Sequence, residues 1–381
     1  MSEVLDEKLT IEKEESAEDL ATKKTEKLKK RGKHFYDLAY KLSNNNSSTI
    51  PPSLRYAEAS WYSYESYNIF LSIGLWPQAA DSIQLCAIMS KVLKKTTEAA
   101  YLQIQLAQVY LKFDITESIV AYENAITLFI ELKQLLLIAI LNRIIGNLHL
   151  SIKHYEDAHI SYQKASDYYI EIQKYIQSDI CLEKATYCLI QLENYTLASY
   201  LYECIAEGCT LNNLRRYNSV EYLLYAIICL LAVPTNSTTT TNNTTNNTNT
   251  TTNILNTPTT FDADNTDLKA PKDKKARTII ETEYKEKYSN ILNIMDSYKL
   301  KDYLWKCSKE YLFLYNIITA RMCYDLDTYI RHVYFYGQAR KLPFWVLGVL
   351  HMLCKEIEQE LEDRRLRVDS IVSLYVYIIV I

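Results

Sequence analysis

The stretch YEDAHISYQKASDYY, Tyr155–Tyr169, decides how this chain folds. Tyr155, Ala158, Tyr162, Ala165 and Tyr169 fall three or four residues apart and therefore line one face of a helix. Small residues beside large ones on one face suggest knobs meeting holes: a neighbouring helix comes close at the alanines, and the tyrosines fill the space between. The phrase recurs at a fixed interval. Forty residues upstream, Tyr122 and Ala125 stand in ESIVAYENAITLF, and forty downstream Tyr202 and Ile205 stand in YTLASYLYECI. Gly146, Thr186 and Ala226 keep the same interval in LNRIIGNLHL, LEKATYCLIQL and YLLYAIICLLA, and LWPQAADSIQLCAI fits more loosely upstream. Two helical segments per forty residues predict a solenoid of helical hairpins, in which each unit buries its apolar face only by stacking on its neighbours.

Composition points the same way. Six glycines and seven prolines in 381 residues are too few turn-formers for an all-β chain or for glycine-rich phosphate loops, so the expected class is all-α. Hydrophobic residues make up 48% of the chain, enough for a large core. A net charge of -4 gives no electrostatic reason to expect nucleic acid. Nine cysteines at irregular spacing, without a secretory signal at the start, predict reduced thiols in the cytosol.

Two segments depart from the helical background. The Asn/Thr tract that begins at Pro234 has almost nothing to bury and is expected to be a disordered loop. The apolar run IVSLYVYIIVI, Ile371–Ile381, is about half the length needed to cross a bilayer as a helix, so the expectation is a buried final segment or an erroneous end to the gene model, with a membrane-touching tail as the alternative.

Catalytic machinery is not apparent. His149, His154 and His159 recur every five residues, a spacing that walks around a helix and is not expected to converge on a metal. The cysteine pairs Cys181/Cys188 and Cys204/Cys209 lack zinc or redox spacing, and there is no Walker loop, GxSxG or HExxH. The expectation is a binding scaffold with no catalytic residue, cofactor or metal.

Several segments resemble successive helices of the soluble NSF attachment proteins, closer to the alpha/beta type than to gamma. They are Thr97–Phe129, His154–Tyr169, Cys181–Gly208 and RRYNSVEYLLYAIICLLA. Beyond the Asn/Thr tract, SKEYLFL and LDTYIRHVYFYGQARKLPFW, with Tyr329, Leu342 and Trp345, resemble the family's C-terminal helical bundle. The resemblance implies a TPR-like right-handed superhelix of antiparallel hairpins followed by that bundle. The expected organisation is a charged, poorly ordered extension over 1–33, the solenoid over 34–233, the disordered insert over 234–268, the bundle over 269–366 and an apolar tail over 367–381.

The resemblance also implies a function. Family members lie along the four-helix SNARE bundle, of syntaxin-type and partner SNAREs, that remains after membrane fusion. They recruit the hexameric ATPase NSF to disassemble it, and they work in the cytoplasm in peripheral contact with membranes. Lys184, Arg216 and Lys309 align with basic residues of the family's SNARE-facing surface. Two family lysines fall on Ile140 and Ile180, and Arg143, one turn beyond Ile140, is placed to compensate. Single lysines and arginines are ordinarily scattered surface charges, so the expectation rests on the four as a set. For the NSF contact the resemblance points to Asp325 and Asp327, and to Glu362, Asp363 and Leu366 in EIEQELEDRRL. For the membrane it leaves only Ile50 and Leu54, in the connector SNNNSSTIPPSL. The alternative reading is a TPR-like scaffold of a multisubunit complex without SNARE recycling.

Overall fold

A computed structural model describes residues 2–44, 50–211, 215–234 and 274–380, with side chains for 22–44, 50–211, 215–234, 282 and 284–365. The Asn/Thr tract from 235 onward and the side chains of the apolar tail lie outside the described residues. Every described element is a helix, as the low glycine and proline content predicts. The chain divides into two compact units, Met1–Cys188 and Leu189–Ile381.

The first unit holds α1 (Ser2–Asn44), α2 (Pro52–Ser72), α3 (Trp76–Val92), α4 (Thr96–Tyr110), α5 (Ile115–Glu131), α6 (Leu135–Ser151), α7 (Tyr155–Glu171) and most of α8 (Tyr175–Gln191). From α1 to α7 each helix packs on the next in sequence, a TPR-like stack of hairpins. The forty-residue period is two seventeen-residue helices, each followed by a three-residue turn. The turns share one geometry. Lys94, Lys133, Lys153, Gln173 and Glu193 all take a left-handed conformation, with φ between 54° and 61°. The N–H one residue further on then donates back to the preceding helix, as in Gln134 to Phe129 O at 3.0 Å, His154 to His149 O at 2.9 Å and Lys174 to Tyr169 O at 2.8 Å. This is a Schellman closure, which satisfies carbonyls that the helix end would otherwise leave open.

The core follows the sequence pattern. Ala158, Tyr162, Ala165 and Tyr169 are buried, as are Tyr122, Ala125, Tyr202 and Ile205 in the neighbouring copies. Gly146 shows why small residues recur: a Cβ there would lie 2.9 Å from two ring carbons of Tyr162. The glycine on α6 is the hole and the tyrosine on α7 the knob. Ala165 packs with Ala139, Tyr169 and Cys181, contributed by α6, α7 and α8.

The second unit holds α9 (Tyr195–Thr210), α10 (Arg216–Ala232), α11 (Lys274–Lys301), α12 (Tyr303–Lys306), α13 (Lys309–Cys323), α14 (Leu326–Ala339) and α15 (Phe344–Val380). The pair α9 and α10 continues the hairpin pattern, and α10 is in turn covered by α11, α13 and α15. Trp345 joins the two parts: its ring stacks on Tyr202 with centroids 6.0 Å apart and meets Tyr225 edge-on at 5.6 Å. Tyr329 is buried and donates its hydroxyl to Leu350 O at 2.9 Å. Side-chain caps fix several helix starts, with Asp302, Ser308 and Asp325 opening α12, α13 and α14.

Candidate functional site

In the first unit, the register of α6 and α8 sets the positions of Arg143 and Lys184. The two cations flank the buried thiol of Cys181 and oppose the effect of burial, which nonetheless pushes that thiol up to about 11. Lys184 is held in place: its Nζ donates to Asn147 Oδ1 at 2.7 Å and lies 5.5 Å from the centroid of the Tyr162 ring. Asn147 Oδ1 also accepts the Tyr162 hydroxyl at 2.8 Å. One lysine is thus fixed by an amide and an aromatic face, in the range where a cation is attracted to a ring. Ile140 and Ile180 occupy the aligned lysine positions differently. Ile140 packs against the Ala139–Tyr169 cluster, whereas Ile180 is exposed.

In the second unit, Arg216 opens α10 and extends to the buried Asp302, with its Nη2 3.8 Å from Oδ1. Asp302 also accepts Ser219 Oγ at 2.8 Å and the Leu304 N–H at 3.0 Å. The guanidinium therefore answers an internal carboxylate while part of it stays in solvent. Lys309 is the first residue of α13 and is exposed.

Asp325 caps α14 by accepting the Thr328 N–H at 3.0 Å and the Thr328 hydroxyl at 2.6 Å; these bonds hold its carboxyl below the usual range. Asp327 lies in the first turn of the same helix, where a negative charge complements the helix dipole. Glu362 and Asp363 are exposed on α15, and the side chain of Leu366 lies outside the described residues. Ile50 and Leu54 are exposed, before and within the first turn of α2. Among the described residues no helix is long and apolar enough to cross a membrane.

Two constellations are not evident from sequence. Arg321 is 2% exposed and ion-paired to Glu356 at 3.3 Å and Glu360 at 3.1 Å, which ties α13 to α15. Its guanidinium also lies 5.2 to 5.7 Å from the ring centroids of Tyr284, Tyr288 and Tyr324. An arginine in the apolar run YLFLYNIITARMC was the available signal. The histidines need a correction. His149 and His154 do not share one helix, because α6 stops at Ser151 and the chain reverses at Lys153, so one ligand atom from each of His149, His154 and Asp157 falls within 4.8 Å of the others. His159 stands apart on α7, with its Nδ1 3.3 Å from Ala185 O.

Comparison with known proteins agrees with this architecture. The family model described as soluble NSF attachment protein, SNAP, matches residues 30–258, more than half of the chain. The alpha-soluble NSF attachment protein of Vitis vinifera is 26% identical over 177 residues, covering 46% of this chain and 61% of that protein. The protein of the same name from Dictyostelium discoideum is 37% identical over 78 residues, 20% of this chain and 27% of its own length. The chain therefore matches less than two thirds of the length of these relatives. With the hairpin stack, the knob-and-hole contacts and the family match in agreement, the chain belongs to the soluble NSF attachment protein family.

Proposed function

We propose that this chain is a cytoplasmic adaptor that binds the post-fusion SNARE four-helix bundle and recruits the NSF ATPase to disassemble it, in vesicle-mediated transport. The observation that carries the reading is the family match across residues 30–258, reinforced by relatives named for NSF attachment. Arg143, Lys184, Arg216 and Lys309 supply positive charge for an acidic bundle, Asp325, Asp327, Glu362, Asp363 and Leu366 form the ATPase contact, and Ile50 and Leu54 give a weak peripheral membrane contact. Lys184 is the best-prepared of the cations, because Asn147 and Tyr162 already hold its ammonium group. Charge complementarity of this kind gives orientation and fast, salt-sensitive association.

The test is a pull-down of the chain on an assembled SNARE bundle, with and without NSF and ATP. Binding that NSF and ATP release supports the adaptor. A well-folded chain that ignores the bundle transfers the reading to a TPR-like scaffold of another complex. The charge set is tested by reversing Arg143, Lys184 and Lys309 and changing Arg216→Gln. Neutralising Arg216 avoids placing a carboxylate beside buried Asp302. The combined variant loses most of its binding while keeping its circular dichroism spectrum; unchanged binding removes these residues from the SNARE surface.

A further inference from the structure

The turn between α6 and α7 assembles two imidazoles and a carboxylate that the adaptor reading leaves unused. The Schellman closure sets the geometry: the His154 N–H donates to His149 O at 2.9 Å, which brings the end of one helix against the start of the next. The two rings are then nearly parallel, with centroids 6.4 Å apart. Asp157, three residues into α7, places Oδ2 4.0 Å from His154 Nδ1. One ligand atom from each of the three lies within 4.8 Å of the other two, an arrangement that no other trio of His, Cys, Asp or Glu matches among the described residues.

A second observation concerns His149 alone. Its Nδ1 is shut off from water and has no hydrogen-bond partner. A buried ring nitrogen without a partner carries a cost that coordination removes, directly or after a ring flip.

We propose that His149, His154 and Asp157 form a binding site for a divalent transition metal, with Zn2+ as the cation of best fit. Two imidazoles and one carboxylate suit zinc and its late first-row neighbours; calcium and magnesium select all-oxygen sites, and copper(I) selects thiolates. Zinc bonds of about 2.0–2.2 Å require the ligand atoms to close to roughly 3.4 Å of one another. His154 and Asp157 are exposed and free to make that adjustment by rotating their side chains. With three protein ligands the remaining position goes to water. The bound ion would staple the end of α6 to the start of α7, two residues beyond the Asn147 that holds Lys184.

The experiment is calorimetric titration of ZnCl2 into the reduced full chain, with exposed Cys307 and Cys323 changed to serine so that thiols do not compete. One equivalent of zinc is expected. His154→Ala and Asp157→Asn, both at exposed positions, should each weaken binding by at least about tenfold, since even outer-shell changes cost that much at a metal site. The melting temperature should rise with zinc in the parent and not in the variants. No uptake of zinc, uptake unchanged in both variants, or displacement by equimolar Mg2+ would each overturn the assignment.

Discussion

Replacing Gly146 with alanine tests the packing logic at its tightest point. In an ordinary helix interior the change is favourable, by about 0.5–1 kcal/mol, because alanine loses less backbone freedom on folding. At Gly146 the new methyl would sit 2.9 Å from Cδ1 and Cε1 of Tyr162 and 3.1 Å from Cγ. Carbon atoms pack best at about 3.5–4.0 Å, so the ring must retreat by roughly 0.6–1 Å. It has little freedom to do so, being fully buried and anchored through its hydroxyl to Asn147 at 2.8 Å. Overpacking of this kind costs about 1–3 kcal/mol, which outweighs the helix gain over most of that range and leaves a net loss of up to about 2.5 kcal/mol. Gly208→Ala is the internal control, since nothing lies within 4 Å of a Cβ there, and it should stabilise by about 0.5–1 kcal/mol. Urea unfolding gives the overall shift, and hydrogen exchange on α6 and α7 amides localises it, which matters in a chain of two compact units. In a Tyr162→Leu background the penalty on alanine should vanish, giving a coupling of about 1–3 kcal/mol, the size of that penalty. If Gly146→Ala stabilises the protein as Gly208→Ala does, the knob-and-hole account of the repeat is wrong.

The remaining predictions concern buried charge, thiols and pH. Arg321→Met should destabilise the second unit by about 3 kcal/mol in a denaturant melt, the lower end for a broken buried pair, because Glu356 and Glu360 are partly exposed and can rehydrate. In the native protein a thiol reagent followed by mass spectrometry should modify exposed Cys307 and Cys323 first; Cys188 and Cys209, pushed up to about 11 by burial, and Cys229, pushed up to about 12, should react only after unfolding. Burial raises the phenols of Tyr162, Tyr288 and Tyr329 well above their unfolded value. The unfolded chain then releases protons first, so stability is fully present below about pH 10 and declines as pH rises beyond it. A melting temperature that holds steady from pH 9 to 11 would contradict this.

What could be read from the sequence was what is local and periodic. The spacing of Tyr162 and Ala165, and its echoes at Tyr122/Ala125 and Tyr202/Ile205, identified the hairpin stack and its buried face, because helical periodicity depends on near neighbours alone. Turn positions were harder to see. Lys153, Gln173 and Glu193 take the left-handed conformation usually signalled by glycine, and without that signal His149 and His154 looked like members of one helix. Charge partners were harder still. Arg216 and Asp302 are far apart in sequence, as are Arg321 and Glu360, and nothing in either local stretch announces the pairing. The proposed SNARE and NSF contacts came from family resemblance, since composition and spacing alone supplied only a scaffold.

The packing of α1 to α7, chiefly of each helix on the next, also has a mechanical meaning. In a fold where each hairpin rests on the one before it, there is no long-range cross-brace to make the unit yield as a whole. Tension applied along the stack should peel hairpins in order from an end, each rupture small and each reversible by rewinding onto a neighbour still in place. A compact domain snaps; this one behaves as a row of weak latches, able to give way by one hairpin while the rest keep their grip.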